Sequence, residues 1–83
     1  MKYKAEINVM PLDELLDPQG KVVTSGLHNL SLKSIDNVRI GKHLDLEVEA
    51  TDEQEAEEMV KKACDKLLAN PVIEKYHYEI KPA

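Results

Sequence analysis

The sequence predicts a small α+β protein whose chain runs strand, helix, long strand, helix, strand. The first observation behind this order is the stretch 34–50, where apolar residues occupy even positions and polar residues odd ones, as is typical of a strand with one buried face. The second is that helical patterns flank this stretch, and the third is that two shorter alternating runs lie at the chain ends. We therefore expect one domain over residues 1–83, a two-layer βαβαβ sandwich with a long bent central strand.

The first strand is predicted from apolar residues that alternate with polar ones, namely Tyr3, Ala5, Ile7 and Val9. Pro11 should end it, because proline cannot donate a hydrogen bond to a strand ladder. The connection that follows contains three leucines that need a cover in the folded protein: Leu12, Leu15 and Leu16. They either fold back over the end of the core or contact another subunit, which makes them our candidate oligomer contacts.

The first helix should begin with Asp17 as its N-cap and Pro18 as its first residue. It should run to about Leu30 and turn one apolar stripe, Val23, Leu27 and Leu30, toward the sheet. Gly20 is costly here, because glycine inside a helix loses roughly 1 kcal/mol relative to alanine. Together with Gly26 in the same helix, it suggests that another backbone approaches the helix closely, unless one of the two glycines is merely tolerated.

The central stretch 35–50 allows two geometries. A three-residue loop over Gly41–His43 would pair Ile40 with Leu44 and Val38 with Leu46, as in a ferredoxin-like βαββαβ domain. An unbroken strand also keeps the apolar residues on one face, with a bulge at Gly41 that bends it. We favour the bent strand and keep the hairpin as the alternative.

The second helix should open with a capping box in which Thr51 is the N-cap and Gln54 reaches back to it. Apolar residues at helical spacing then continue to Leu68, and Asn70-Pro71 should stop the helix. A last strand is predicted from Ile73 to Ile80, with three apolar side chains on one face: Tyr76, Tyr78 and Ile80.

Composition excludes several classes of partner. A net charge of −5 repels phosphate backbones, which argues against nucleic acid and anionic membranes. No segment approaches the roughly 20 apolar residues of a membrane span, and we expect a cytoplasmic protein. Because the chain is short and lacks Phe and Trp, its core should be thin and partly covered by other subunits. We expect a homodimer or a tetramer.

The residues show no catalytic or metal-binding pattern. His28, His43 and His77 lie on separate predicted elements, without a spacing that would place two of them on one metal. Cys64 is the single cysteine, which excludes an internal disulfide or a cysteine-based zinc site. The residue chemistry alone indicates a binding or assembly domain with no catalytic residue, metal or cofactor of its own.

Three segments together resemble the PurS family, the small subunits of phosphoribosylformylglycinamidine synthase. They are LDPQG at 16–20, VRIGK at 38–42 and LLANPVIE at 67–74 followed by Tyr76. The resemblance covers nearly the whole chain. The chain departs from the family pattern at Ser31, where relatives carry a glycine after the first helix. A left-handed cap is not expected there, because serine is sterically disfavoured at positive φ.

The resemblance implies a role in purine biosynthesis, in a complex that uses ATP and glutamine to convert formylglycinamide ribonucleotide to its amidine. In that family a larger PurL subunit binds ATP and Mg, a PurQ glutaminase releases ammonia, and the PurS subunit holds the two together without catalysing either step. The alternative function is a free-standing ferredoxin-like regulatory module that binds a small ligand between subunits.

The predicted partner contact lies at the start of the first helix and near the 39–42 bend. Asp17 has a sufficient local role as a cap, whereas Gln19 and Gly20 do not. The hypothesis is that Gly20 admits a second backbone, that Gln19 hydrogen-bonds to it, and that Arg39 and Lys42 supply charge toward PurL or PurQ. In the competing interpretation, Gly20 serves only tight packing within this protein's own oligomer.

Overall fold

A computed structural model describes all 83 residues and contains three strands and two α-helices. The elements are β1 (Lys2–Pro11), α1 (Pro18–Asn29), β2 (Lys42–Glu49), α2 (Glu53–Ala63) and β3 (Glu74–Pro82). Their order, and with it the predicted α+β class, is confirmed. A single π-helical turn, Cys64–Leu68, prolongs α2.

The three strands form one antiparallel sheet in the order β2-β1-β3. One face of β1 is fully buried, as its alternation predicts, through Tyr3, Ala5, Ile7 and Val9. Partly buried side chains from the outer strands flank them on that face, among them Leu44, Leu46, Tyr76, Tyr78 and Ile80. The opposite face of the sheet is polar, so the core lies on one side only.

Helix α2 covers the apolar face of the sheet. Ala56, Val60 and Cys64 recur every four residues and are all buried. After Cys64 the interval lengthens to five, because the Ala69 amide donates to the Cys64 carbonyl across the π turn. Ala69 is consequently buried, while Leu67 points outward and is 82% exposed.

The predicted capping box of α2 is wrong by one residue. Asp52 is the N-cap, and its carboxylate accepts the Glu55 amide at 2.8 Å. Thr51 instead donates its hydroxyl to the Glu55 side chain at 2.8 Å. Asp is among the preferred N-cap residues and ranks above Thr, so it takes the capping position and leaves Thr51 outside the helix.

Helix α1 lies beyond the end of the sheet, and the prediction that its apolar stripe faces the sheet is wrong. Val23 is 41% exposed and Leu30 is 70% exposed. The helix ends in a Schellman motif, in which Ser31 adopts φ 68° and the Leu32 amide donates to the Leu27 carbonyl. A left-handed cap therefore forms at Ser31 despite its steric cost.

The hydrogen-bonded part of the central stretch is shorter than predicted. It begins at Lys42, and the turn that would pair Ile40 with Leu44 within the chain does not form. Asn37, at φ 55°, interrupts the extended backbone before it. Residues 38–41 continue from β2 outside the ladder, toward α1.

The molecule is elongated, with extents of 52 × 26 × 14 Å. Its radius of gyration is 16.4 Å, against about 12 Å for a compact domain of this length. Its accessible surface is 6073 Å², against about 5,000 Å² for a folded monomer of this mass.

Candidate partner interface

The end of the sheet nearest α1 is shaped by Pro11. In the β1–β2 register Val9 lies opposite Lys42, so the next hydrogen-bonded pair, two residues further along, would be Pro11 and Ile40. Pro11 has no amide to donate to Ile40, and β2 leaves β1 at this point. The amide of Ile40 donates instead to the Asp17 carboxylate at 2.8 Å.

Asp17 uses both of its carboxylate oxygens within the chain. One accepts the Gly20 amide at 3.0 Å, which is the predicted N-cap bond, and the other accepts the Ile40 amide. Hydrogen bonds from Gly20 and then Ile40 hold the pKa of Asp17 below its ordinary value of 3.8, against a smaller opposing effect of desolvation. The ionised side chain thus joins the start of α1 to the chain just before β2.

Arg39 fixes the leucine-containing connection. Its guanidinium donates to the carbonyls of Leu12 at 2.7 Å and Leu15 at 3.0 Å. Leu12 is partly buried, and its amide pairs with the Ile73 carbonyl at 2.9 Å. Leu15 and Leu16 are 36% and 67% exposed. The candidate oligomer contacts therefore include two leucines with free apolar surface.

Gly20 is buried, and a backbone approaches it closely as its position suggested, but that backbone belongs to the same chain. A Cβ atom at Gly20 would overlap the carbonyl oxygen of Val38. Thr24, one turn later, donates its hydroxyl to the Gly20 carbonyl at 2.8 Å and accepts the Val38 amide at 3.2 Å. Alanine at this position should therefore destabilise the protein.

Gln19 and Lys42 lie on the rim of an open hollow of about 420 Å³ between α1 and the end of the sheet. Both residues are exposed, and neither side chain hydrogen-bonds within the chain. The apolar residues of the hollow come from four separate segments: Val9, Pro11, Leu16, Ile40 and Ile73. The arrangement offers apolar surface flanked by two uncommitted polar groups, as binding surfaces for protein segments commonly do.

The structure therefore brings the five candidate residues together and divides them into two groups. Asp17, Gly20 and Arg39 hold the backbone in place, whereas Gln19 and Lys42 remain available to a partner. Sequence reasoning missed Thr24, whose only signal was a hydroxyl one turn after a helical glycine.

The structure shows no grouping of three or more His, Cys, Asp and Glu side chains that could hold a metal ion. His28 contacts the Ile35 carbonyl at 2.8 Å, and His43 lies between Asn8 and Asp45. No helix is long and apolar enough to span a bilayer.

Comparison with known proteins decides the family. The sequence model of PurS, described as phosphoribosylformylglycinamidine (FGAM) synthase, matches residues 4–82. The chain belongs to the PurS family. The resemblance seen in the three sequence segments is thereby confirmed, and the family is one of phosphoribosylformylglycinamidine synthase subunits.

Individual relatives agree with this assignment. The chain is 42% identical to the synthase subunit PurS of Bacillus subtilis over 78 residues, which cover 94% of this chain and 92% of that protein. It is 45% identical to the Synechocystis PurS subunit over 94% of this chain and 78% of the relative.

Solved structures of the family share the fold. A chain in the structure of PurLQS from Thermotoga maritima superposes with a TM-score of 0.89 at 36% identity, covering 98% of this chain and 99% of that one. PurS from B. subtilis superposes with a TM-score of 0.84 at 39% identity, covering 95% of this chain and 98% of that one.

Proposed function

We propose that the chain is the non-catalytic small subunit of a phosphoribosylformylglycinamidine synthase and holds a PurL synthase subunit and a PurQ glutaminase subunit together. The observation that carries the proposal is the likeness, over nearly its whole length, to a chain in a PurLQS structure. ATP and Mg then bind to the larger PurL subunit, and this chain needs no cofactor of its own. Its contribution to amidine formation is to position the two larger subunits.

The hollow beside α1 is the part of the surface best suited to one larger subunit. Its apolar floor needs a cover, and the uncommitted Gln19 and Lys42 side chains can hydrogen-bond to a segment placed over it. Asp17, Gly20 and Arg39 act beneath this surface by fixing its shape. All five residues thus belong to the proposed interface, two as contact residues and three as its support.

Self-association belongs to the same proposal. The chain exposes more surface than a monomer of its mass ordinarily does, and Leu16, Val22 and Leu30 are each at least 67% exposed. A homodimer or a larger homo-oligomer would cover such apolar surface. Light scattering coupled to size exclusion tests this point, and a single species at 9.4 kDa would contradict it.

The assembly role is tested by removing the two uncommitted side chains. Gln19→Ala and Lys42→Ala should weaken binding to isolated PurL and PurQ subunits by about 1–3 kcal/mol, with unchanged thermal stability. Lys61→Ala is the matched control, because Lys61 is exposed on α2, away from the hollow. Glutamine-dependent synthesis by the larger subunits should rise when the wild-type protein is added; full turnover without it would refute the role.

A further inference from the structure

The strand β3 forms one edge of the sheet, and its backbone hydrogen-bonds to β1 on one side only. Leu12 donates its amide to the Ile73 carbonyl, and Ala83 donates to Lys2, so the odd-numbered residues of β3 are those that face β1. The even-numbered residues therefore direct their amides and carbonyls outward, away from the sheet.

Three outward amides of β3 have no partner in the chain. Glu74 already donates its amide within the preceding turn, and Pro82 has no amide. The donors that remain belong to Tyr76, Tyr78 and Ile80, and none of them donates to another part of the chain. Such an edge is a template for the addition of another strand.

On the apolar face, this edge presents two tyrosines whose orientations are fixed. The Tyr76 hydroxyl donates to the Asp65 carboxylate at 2.7 Å, and the Tyr78 hydroxyl donates to the Glu57 carboxylate at 3.0 Å. The two rings are stacked with a centroid distance of 6.2 Å, and both side chains are only partly buried. Aromatic rings that are already ordered lose little entropy on binding, and tyrosine is enriched at protein interfaces.

On the polar face, β3 carries a positive charge that lacks a close partner. Lys81 lies directly opposite Lys4 of β1, and like charges in this relation destabilise a sheet. The carboxylate paired with Lys81 is that of Glu6, at 3.9 Å. A carboxylate from another molecule beside Lys81 would relieve the repulsion. The β2 strand on the opposite edge would instead repel such a carboxylate, because its polar face carries Asp45, Glu47 and Glu49.

We propose that the outer edge of β3 binds an extended segment of one larger synthase subunit, which adds to the sheet as a fourth, antiparallel strand. The inference rests on the proposed function, because a chain that joins two subunits needs two surfaces and the hollow beside α1 serves one of them. Apolar side chains of the segment face Tyr76, Tyr78 and Ile80, and acidic side chains face Lys75 and Lys81.

Antiparallel pairing gives the segment a definite sequence pattern. From its N-terminal end, opposite Lys81, it reads acidic, apolar, basic, apolar, any residue, apolar and acidic, with the basic residue opposite Glu79 and the last acidic residue opposite Lys75. Lys75 already contacts Asp13 at 2.8 Å, but both side chains are exposed. An exposed ion pair of this kind contributes little, so Lys75 can exchange its partner.

Amide exchange in this chain, with and without isolated PurL or PurQ, tests the strand addition. One of the two subunits should slow exchange at Tyr76, Tyr78 and Ile80 at least about tenfold. The amides of His77 and Glu79 face β1 and serve as internal controls, since they should exchange slowly in both states.

The outcomes separate this inference from the proposed function. Binding of both subunits without protection at 76, 78 and 80 would overturn the inference alone, whereas failure of both subunits to bind would overturn the proposed function as well. Protection in the free protein that disappears on dilution would identify a second copy as the occupant and would also overturn the inference.

A charge reversal tests the acidic character of the segment. Lys81→Glu presents a carboxylate to it, and the fold should tolerate this change because the new side chain lies opposite Lys4. Lys62→Glu is the matched control, since Lys62 is exposed and lies two positions from both Val60 and Cys64, on the far side of α2. The dissociation constant for the subunit that protects the edge should rise at least about tenfold for Lys81→Glu relative to Lys62→Glu. Equal constants for the two folded variants would overturn the inference.

Discussion

The amide of Ile40 donates to the carboxylate of Asp17 over 2.8 Å, although 23 positions separate them in the chain. The same carboxylate caps α1 through the Gly20 amide. One side chain thus caps a helix and also binds the backbone just before β2. Because α1 has almost no packing against the sheet, its position depends on polar contacts of this kind.

Asp17→Asn should loosen α1 from the residues before β2 while leaving the helix cap in place. Asparagine has one acceptor oxygen, which can serve the Gly20 amide, and its NH₂ group would then oppose the Ile40 amide. We expect a lower melting temperature and faster amide exchange at Ile40 and along α1, with β1 unaffected.

Asp52→Asn is the matched control for this change. Asp52 also caps a helix, but it accepts only the Glu55 amide, which asparagine can replace. Both variants lose one negative charge at a helix N-terminus, so that effect is common to them. Equal losses of stability in the two variants would show that the bond to Ile40 contributes nothing.

Gly20→Ala should destabilise the protein by about 1–3 kcal/mol, because the new methyl group would overlap the Val38 carbonyl. Gly26→Ala lies in the same helix with no atom within 4 Å of the added carbon and should stabilise it by about 0.5–1 kcal/mol. Denaturant unfolding measures both. Changes of the same sign would contradict the close approach at Gly20.

Ser31→Gly should raise stability by up to about 1 kcal/mol. The left-handed φ of 68° costs serine about 1–2 kcal/mol, and the greater flexibility of unfolded glycine offsets roughly half of this. Ser34→Gly is the control, since Ser34 does not have a positive φ and should only lose stability. The comparison is made by thermal unfolding; no gain at Ser31 would argue against the left-handed cap.

Tyr76 should ionise at unusually high pH. Its hydroxyl donates to the Asp65 carboxylate at 2.7 Å, which, with some desolvation, raises the pKa of Tyr76 from 10.0 to about 12. The folded state favours the neutral phenol, so this contribution to stability is complete below pH 10 and is lost as pH rises toward about 12. Spectrophotometric titration measures the value.

Two variants identify the cause of the shift. Asp65→Asn should return the pKa of Tyr76 toward 10.0, and Tyr76→Phe should remove the high-pH component from the titration. A component near pH 12 that persists in the phenylalanine variant would belong to another tyrosine. Tyr78, stacked on Tyr76 with a centroid distance of 6.2 Å, also has a raised pKa, chiefly through desolvation.

The sequence predicts most of the sheet because strand alternation depends on burial of one face. Tyr3 to Val9 and Tyr76 to Ile80 follow the pattern; the apolar side chains of the first run lie in the core, and those of the second are partly buried against it. The sequence pattern does not predict the length of β2, because that length depends on the neighbouring strand β1. The alternation from Val38 onward is that of a strand, but Pro11 on β1 leaves Ile40 without a donor.

The candidate site was predictable as a group of residues and not in its internal contacts. Asp17 was identified as a cap, while its second hydrogen bond joins residues 23 positions apart and leaves no local signal. The stripe on α1 predicts a contact with the sheet that does not form, because a pattern of apolar residues does not say which surface, if any, covers it.

The π turn after Cys64 has a consequence for chain length. The buried stripe of α2 advances by four residues up to Cys64 and by five to Ala69, so this turn accommodates one residue more than a regular α-helix would. Deletion of the exposed Leu67 would restore the regular spacing and keep Ala69 in the core. Deletion of Lys62, within the regular helix, would instead rotate every later side chain by about 100°.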